Sequence, residues 1–513
     1  MSIQPSNSSI PDLLKIGSIP VNTAQDVETS VLEPVVHNDG FCRFVFQNKG
    51  ILHSHSKIEI GLKNAPVQAQ LPLGVGIYSL IDRVSLKMGT KTICEIEDFA
   101  HWFAYKSMFV SNENNKEREV CLTGRQMSHG FQYSDLANRV AVPSKSGGGE
   151  SDTSAPVVGI DVGRDNDTHF GTWQSETLAS DADNIVPLTS HAEPMYYSNL
   201  KHTKANDNPL YQLSLSELLP FLKMNQLPLY LIKEPVSLEI HFTQPGTGSV
   251  VADGSRRVCV ELGQAKNSQY LIDTAATRLV ADYIFYPQEL MSAYANANQN
   301  MSFTYVDYQL SKMSVDAATA QSNMIRNIGG AGRIVSKMFW GLADEDCSEE
   351  WLLNNYYSQA PSRDYSTAGA VNKKNNTAEF NIKYNDNFLY PMDVKNTARH
   401  FHNVQSTEGI VPFVNREEYG LEGQSLTTRT ILGYPQGGLR AGADVAPRLG
   451  GKFFWLGSRL NKNERINSRG VELYFKYEGL PAKVSTRGYT QRVYMEVIRT
   501  ATLNNGYMSC YYA

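Results

Sequence analysis

The stretch LVADYIFYPQELMSAYANANQNMSFTYVDYQ, residues 279–309, separates two halves of similar length, and its reading decides the fold. Residues 279–286 are β-branched and aromatic with few charges, which suits a strand packed on a sheet. Pro287 stops that strand: proline has no N–H for a ladder, while its fixed φ suits the first turn of a helix. Residues 288–298 predict a short helix with Glu289 near its positive end. Asn296, Asn298 and Asn300 break it, and strand spacing resumes over 302–309. Strand, short helix and strand in the middle of a β-rich chain is the pattern of a joint between two β domains.

Toward the N-terminus, Val236, Leu238, Ile240 and Phe242 alternate with Ser237, Glu239 and His241, a strand signature. A short helix is expected to start at Ser214 or Ser216 and end near Pro220, and a strand pair to occupy 257–262 and 268–273. Residues 80–97 predict a hairpin in which Val84, Leu86 and Met88 alternate, Gly89–Thr90 turns the chain and 93–96 returns. The segment FAHWFAYKSMF, 99–109, predicts a short helix; 41–46 and 57–62 predict strands. Residues 1–33 are polar with little periodicity and read as an N-terminal arm. Residues 127–204, with SKSGGGESDTS at 144–154, read as a long loop excursion, because closure entropy grows slowly with loop length.

Toward the C-terminus, strands are predicted at 333–341, 378–384, 471–477 and 492–499. Several short strands with long loops in each half fit β-sandwiches. Identity between the halves is too low to define a repeat from sequence.

Composition narrows the function classes. A chain of 513 residues suggests two to four domains, and 41% hydrophobic residues exclude wholesale disorder. Charged residues are only 19%, and Asn, Ser, Thr, Gln and Tyr supply the polarity, which favours strands and turns over exposed helices. With a net charge of −5 and basic pairs only at Arg256–Arg257 and Lys373–Lys374, no direct nucleic-acid binding is expected. No window is long and apolar enough for a membrane span, and no secretory signal precedes the first strand. Cys42, Cys94, Cys121, Cys259, Cys347 and Cys510 lie far apart, which reads as free thiols in a protein made in the cytosol.

Motifs for catalysis or cofactors are weak. Residues 329–333, GGAGR, lack the third glycine of a dinucleotide fingerprint and precede a strand, so they read as a turn. Gly450, Gly451 and Lys452 fail as a phosphate loop, since Ala446 and Phe453 replace required residues. The His53/His55 and His400/His402 pairs would share a face on strands, but lack further metal ligands nearby. Asp161, Asp165 and Asp167 resemble half a calcium loop, with Thr172 where the bidentate Glu should stand. The acidic run 344–350 could pair carboxylates for glycoside hydrolysis, or be a solvated loop. Sequons at Asn7, Asn166, Asn300 and Asn375 read as chance matches. Neither a catalytic residue, a metal ligand nor a cofactor site is assigned, and the chain is not expected to be an enzyme.

Several segments, in order, resemble the double jelly-roll major capsid proteins of double-stranded DNA viruses, of the polinton-like virus or virophage type. The hairpin at 80–93 and the aromatic segment that follows it are similar to the family's early strand pair. The Leu- and Pro-rich run 215–242 is similar to the lead into an alternating strand. The tyrosine-rich strand and short helix of 279–307 resemble the close of the first jelly roll, and 333–340 the opening of the second. Segments 380–402, 471–477 and 492–513, with an Asn505–Gly506 turn, fall where the family has its later strands.

The resemblance implies an all-β chain of two consecutive eight-stranded jelly-roll sandwiches with short helices and long loops. Its implied division is an arm at 1–33, a first jelly roll at 34–286, a helical joint at 287–301 and a second jelly roll at 302–513. It implies a structural protein of the virion, synthesised in the host cytoplasm, whose homotrimers form pseudo-hexameric capsomers. These would tile an icosahedral capsid and contact neighbouring capsomers, penton proteins and minor capsid proteins. The excursion at 127–204 is expected to form an outward tower or part of the trimer contact, and the arm to lie inside the shell. A carbohydrate-binding or carbohydrate-active β-sandwich is the alternative.

Overall fold

The computed structural model describes residues 26–38, 40–63, 69–70, 75–110, 122–123, 210–242, 260–261, 271–297, 300–315, 323–344, 358, 377–395, 397–410, 454–460, 464–478 and 489–512. Strands β1 to β12 carry the first half and β13 to β21 the second. In the first half, β1 (Asp26–Leu32), β12 (Leu271–Phe285), β5 (Lys57–Lys63) and β9 (Leu210–Ser214) lie side by side in that order. Facing strands β2 (Val36–Asn38), β3 (Phe41–Val45), β10 (Val236–Phe242), β7 (Ile81–Met88) and β8 (Lys91–Glu97) make a second sheet. The short strands β4 (Ile51–Leu52), β6 (Ala69–Gln70) and β11 (Val260–Glu261) are additions.

The second half repeats this order. One sheet runs β13 (Asn300–Val315), β20 (Tyr489–Asn504), β15 (Val335–Asp344), β18 (Leu456–Arg459). The other runs β14 (Met324–Gly329), β19 (Val471–Glu478), β16 (Thr377–Tyr384), β17 (Asn387–Phe388), and β21 (Tyr507–Tyr512) pairs with β20. Leaving out β2, β4, β6, β11 and β21 and numbering eight strands along each half, both halves read 1-8-3-6 in one sheet and 2-7-4-5 in the other. That is the jelly roll, two interlocked Greek keys, and here it occurs twice in succession. The repeat is in topology, where sequence identity does not reveal it.

Alternation explains the sheets. Ile58, Ile60 and Leu62 of β5 and Leu279, Ala281 and Tyr283 of β12 point inward and are buried. In the second half Trp340 is fully buried and meets the Phe380 ring edge-on at 4.8 Å. Burying an aliphatic or aromatic side chain of this size contributes roughly 1.5–3 kcal/mol, so the two inner faces dominate stability. The predicted hairpin pairs Met88 with Lys91 around Gly89, whose φ is +57°. Asn505 and Gly506, at φ +51° and +89°, form the tight turn between β20 and β21, the conformation a two-residue hairpin loop requires.

The described residues also hold two 3-10 helices, Gly76–Leu80 and Leu229–Leu231, and the α-helices α1 (Phe99–Val110), α2 (Leu215–Leu218), α3 (Pro220–Met224), α4 (Gln288–Ala297) and α5 (Thr397–Glu408). Helix α2 follows Ser214 and ends at Leu218, near Pro220 as expected, and Pro220 then begins α3, since proline suits a first helical position. Helix α4 lies between β12 and β13 with no buried residue. Among the described residues no helix is long and apolar enough to cross a membrane.

Three expectations are corrected. Residues 26–32, assigned to the arm, form the edge strand β1, paired along its length from Asp26↔Phe285 to Leu32↔Leu279. Its outward position leaves five of its seven residues exposed, which blurs the periodicity that marks a strand. The segments 257–262 and 268–273 do not pair with each other where they are described: Val260 faces Gln70, and Leu271 faces Lys63. The strand expected over 302–309 runs from Asn300 to Val315. The excursion at 127–204 lies outside the described residues.

Candidate functional site: the junction between the sandwiches

Helix α1 follows β8 and is apolar on every side, FAHWFAYKSMFV, so it must be covered on every side. Its own sandwich covers one flank. The outer face of the β13-β20-β15-β18 sheet covers the other, where the Tyr105 ring stacks on Phe339 at 3.8 Å and 8° and Trp102 meets Tyr308 edge-on at 5.3 Å.

Three polar knots fix this contact. The first is built on Asp98, fully buried in the left-handed region at φ +52°. Its carboxylate accepts from Arg492 Nε at 2.7 Å and lies 2.9 Å from both Lys312 Nζ and His101 Nδ1, while its carbonyl accepts from the Tyr494 hydroxyl at 2.8 Å. A buried carboxylate with this many partners is satisfied, which is the condition for holding a charge out of water.

The second knot links both 12-residue helices. Glu408, at the end of α5, takes Lys106 of α1 at 2.9 Å and Lys337 of β15 at 3.0 Å. Lys337 also reaches Glu496 at 3.4 Å, and Glu496 accepts from Tyr308 and Ser336, each at 2.7 Å. Burial pushes the Glu408 carboxyl upward, but the ammonium groups of Lys106 and Lys337 outweigh it and hold the group below the ordinary carboxylate range. Burial lowers Lys106.

In the third, Arg499 donates to Asp307 Oδ2 at 2.7 Å and to the Ile93 carbonyl at 2.8 Å, and Tyr305 donates to the same carbonyl at 2.6 Å. Burial pushes the Asp307 carboxyl up, against the pull of Arg499 and the Glu95 N–H. Each knot joins residues from different halves, so the two sandwiches are locked in one relative orientation.

The residues singled out from sequence for chemistry are not brought together. His53 and His55 lie in a turn, not on a strand; their rings meet edge-on at 4.5 Å, and His53 Nδ1 accepts the His55 backbone N–H at 3.0 Å. His400 and His402 sit on α5, where a two-residue spacing points side chains apart. His400 is fully buried, with Nε2 2.8 Å from the Ala378 carbonyl, and burial lowers its pKa to about 4; His402 is exposed. Among the described residues no three His, Cys, Asp or Glu gather as a metal site. Gly329, Gly330 and Gly332 form a turn with φ of +98°, +82° and +71°. Cys42, Cys94 and Cys510 are free thiols. Asn300 opens β13. Asp344 ends β15, whereas 345–350, Asp161, Asp165, Asp167, Gly450–Lys452, both basic pairs and the other sequons lie outside the described residues.

A cleft of about 320 Å³ beside β9, lined by His55, Lys57, Gln212 and Glu217 among others, offers one carboxylate, Glu217, engaged by the Tyr78 hydroxyl. Among the described residues that line it, paired facing carboxylates, the need of a glycoside hydrolase, are not found.

The junction residues were missed in sequence because none has a local motif. One signal was available: a helix apolar all round, with the lone cation Lys106, demands a partner surface.

The double jelly roll is also what comparison finds. A crystal structure of PBCV-1 VP54, fitted into a cryo-EM reconstruction of the virophage Sputnik, is similar with a TM-score of 0.53 at 11% identity, covering 96% of this chain and 97% of that one. A quasi-atomic model of the PBCV-1 virus capsid gives 0.51 at 11%, covering 96% and 97%. The 3.5 Å cryo-EM structure of the Sputnik virophage gives 0.51 at 10%, covering 98% and 92%. No protein-family model and no curated relative matches the sequence. The chain has the fold of the double jelly-roll capsid proteins over nearly its whole length.

Proposed function

We propose that this chain is a major capsid protein, a structural component of a virion. The carrying observation is that two jelly rolls of one topology are locked into a single unit by a junction of buried ion pairs and stacked rings. A shell tile needs that stiffness, and the fold likeness to capsid structures supports the same reading.

The finer proposal is that three chains join as a pseudo-hexameric capsomer, six sandwiches from three copies, which tiles an icosahedral shell beside penton and minor capsid proteins. Such closed rings arise from head-to-tail contacts whose rotation closes. The joint at 287–301 divides the two jelly rolls in this proposal, and synthesis takes place in the host cytoplasm. Light scattering on purified full-length protein tests it. A stable species of three times the 57.1 kDa chain mass, six-lobed by negative stain, is expected; a monomer at all concentrations overturns it.

A further inference from the structure

The strand β21 belongs to the second sandwich by pairing but is tied to the first. The Lys233 N–H donates to the Gly506 carbonyl at 3.0 Å, and Lys91 Nζ of β8 donates to the Met508 carbonyl at 2.8 Å. Arg499 of β20, which pairs with Tyr512, donates to the Ile93 carbonyl of β8 at 2.8 Å. Strand β21 therefore runs beside β8, with Cα atoms within 8 Å, tied at Met508 and again at the level of Tyr512. Cys510 stands between these ties, and Cys94 follows the Ile93 tie on β8. One hydroxyl links the two: Tyr305 donates to the Ile93 carbonyl, in the peptide bond that leads into Cys94, at 2.6 Å, and its other hydrogen bond is to the Cys510 thiol. Both thiols are free, Cys94 buried and Cys510 half-buried.

We infer that Cys94 and Cys510 are a latent disulfide site, which a low-molecular-weight disulfide such as oxidised glutathione closes to staple β21 to the first sandwich. A disulfide needs Cα atoms about 4.4–6.8 Å apart, which a small shift of this six-residue strand supplies. A charge on Cys510 raises the Cys94 thiol further, so the two groups feel each other. Exchange begins at Cys510, the less buried. Its thiolate attacks one sulfur of the glutathione disulfide, that S–S bond breaks, and one glutathione thiolate leaves with the proton. Cys94 then attacks the Cys510 sulfur of the mixed disulfide and expels the second glutathione, which takes the Cys94 proton. Two protein thiols are oxidised and one glutathione disulfide is reduced to two thiols. Burial pushes both cysteines up, with Arg499 and Lys91 drawing Cys510 back, so the exchange is slow and the pair stays reduced in the cytosol. The bond closes a loop that spans both sandwiches, and long loops are those whose closure most restricts the unfolded chain.

Oxidation of the purified full-length protein tests this. After incubation with oxidised glutathione, remaining thiols are blocked under denaturing conditions and the chain is digested for mass spectrometry. The expected result is a Cys94 peptide joined to a Cys510 peptide, an intact chain lighter by two hydrogens, and a urea midpoint above that of the dithiothreitol-treated protein. Cys510→Ser should give no joined peptide and a midpoint indifferent to the oxidant. Wild-type protein with both cysteines blocked, carrying glutathione alone, or joined instead to Cys121, Cys259 or Cys347 would overturn the inference. The site lies within one chain, so the outcome is independent of whether the protein scatters light as a trimer or a monomer.

Discussion

Arg492 Nε lies 2.7 Å from Asp98 Oδ2, and the two residues stand 394 positions apart. The pair joins the residue that introduces α1 in the first sandwich to the central strand of the second. Both side chains are almost wholly buried, so neither can fall back on water if the other is removed.

Asp98→Asn is therefore expected to destabilise the chain by about 3–5 kcal/mol, the usual cost of leaving a buried charge without its partner. Asparagine tolerates the left-handed backbone at this position, so the loss reports the charge. Denaturant titrations of Asp98→Asn, Arg492→Met and the double variant check this. The double variant should recover part of the loss, and strict additivity would contradict the pairing.

His400 sets an acid limb. Its folded pKa is lowered to about 4 by burial, against an ordinary value of 6.5, so the unfolded chain takes up the proton first as pH falls. The stability tied to the neutral ring is fully present above pH 6.5 and is lost as pH drops toward 4, amounting to about 3 kcal/mol. His400→Phe should flatten the melting temperature between these pH values, while wild type slopes downward.

Glu408 acts below that window. Its folded pKa lies under the ordinary carboxylate value, so its contribution is present above that value and fades as pH falls through the folded one. Glu408→Gln removes the carboxylate that Lys106 pairs with and leaves Lys337 with Glu496 alone, and should cost about 3–5 kcal/mol at pH 7. Thermal melts should show the gap between variant and wild type closing in strong acid; a gap independent of pH would exclude the charge as its source.

Gly341 lies on β15 where an added Cβ would stand 2.6 Å from the Trp455 ring and 2.9 Å from Ser358 Cβ. Gly341→Ala should cost about 1–3 kcal/mol by overpacking. Urea unfolding of this variant should show a lower midpoint, with Gly332→Ala as a contrast whose effect is backbone strain in open space.

Much of the fold was legible because its signals are local. Alternation at Val236–Phe242, the Gly89 turn and Pro287 between strand and helix each work within a few residues. The edge strand β1 was not, since exposure on both faces removes the period. Nor was the repeat, because a jelly roll requires alternation in a given strand order and leaves the identity of inward residues free. The junction was least legible of all. Lys106 and Glu408 meet across 302 residues, and nothing in either neighbourhood announces the other. The histidine pairs, to which no metal was assigned, owe their placement to elements the spacing does not identify: on α5 it disperses them, and at 53–55 it falls in a turn.

The distance in sequence between Asp98, which introduces α1, and Arg492 of β20 has a consequence during translation. At roughly 5–20 residues per second, β20 leaves the ribosome ~20–80 s after α1. For that interval the Asp98 carboxylate waits in water for Arg492, while Trp102 and Tyr105 stay uncovered only until Tyr308 of β13 and Phe339 of β15 emerge. The aromatic face of α1 is thus closed well before the ion pair that fixes its start, which forms only near the end of synthesis.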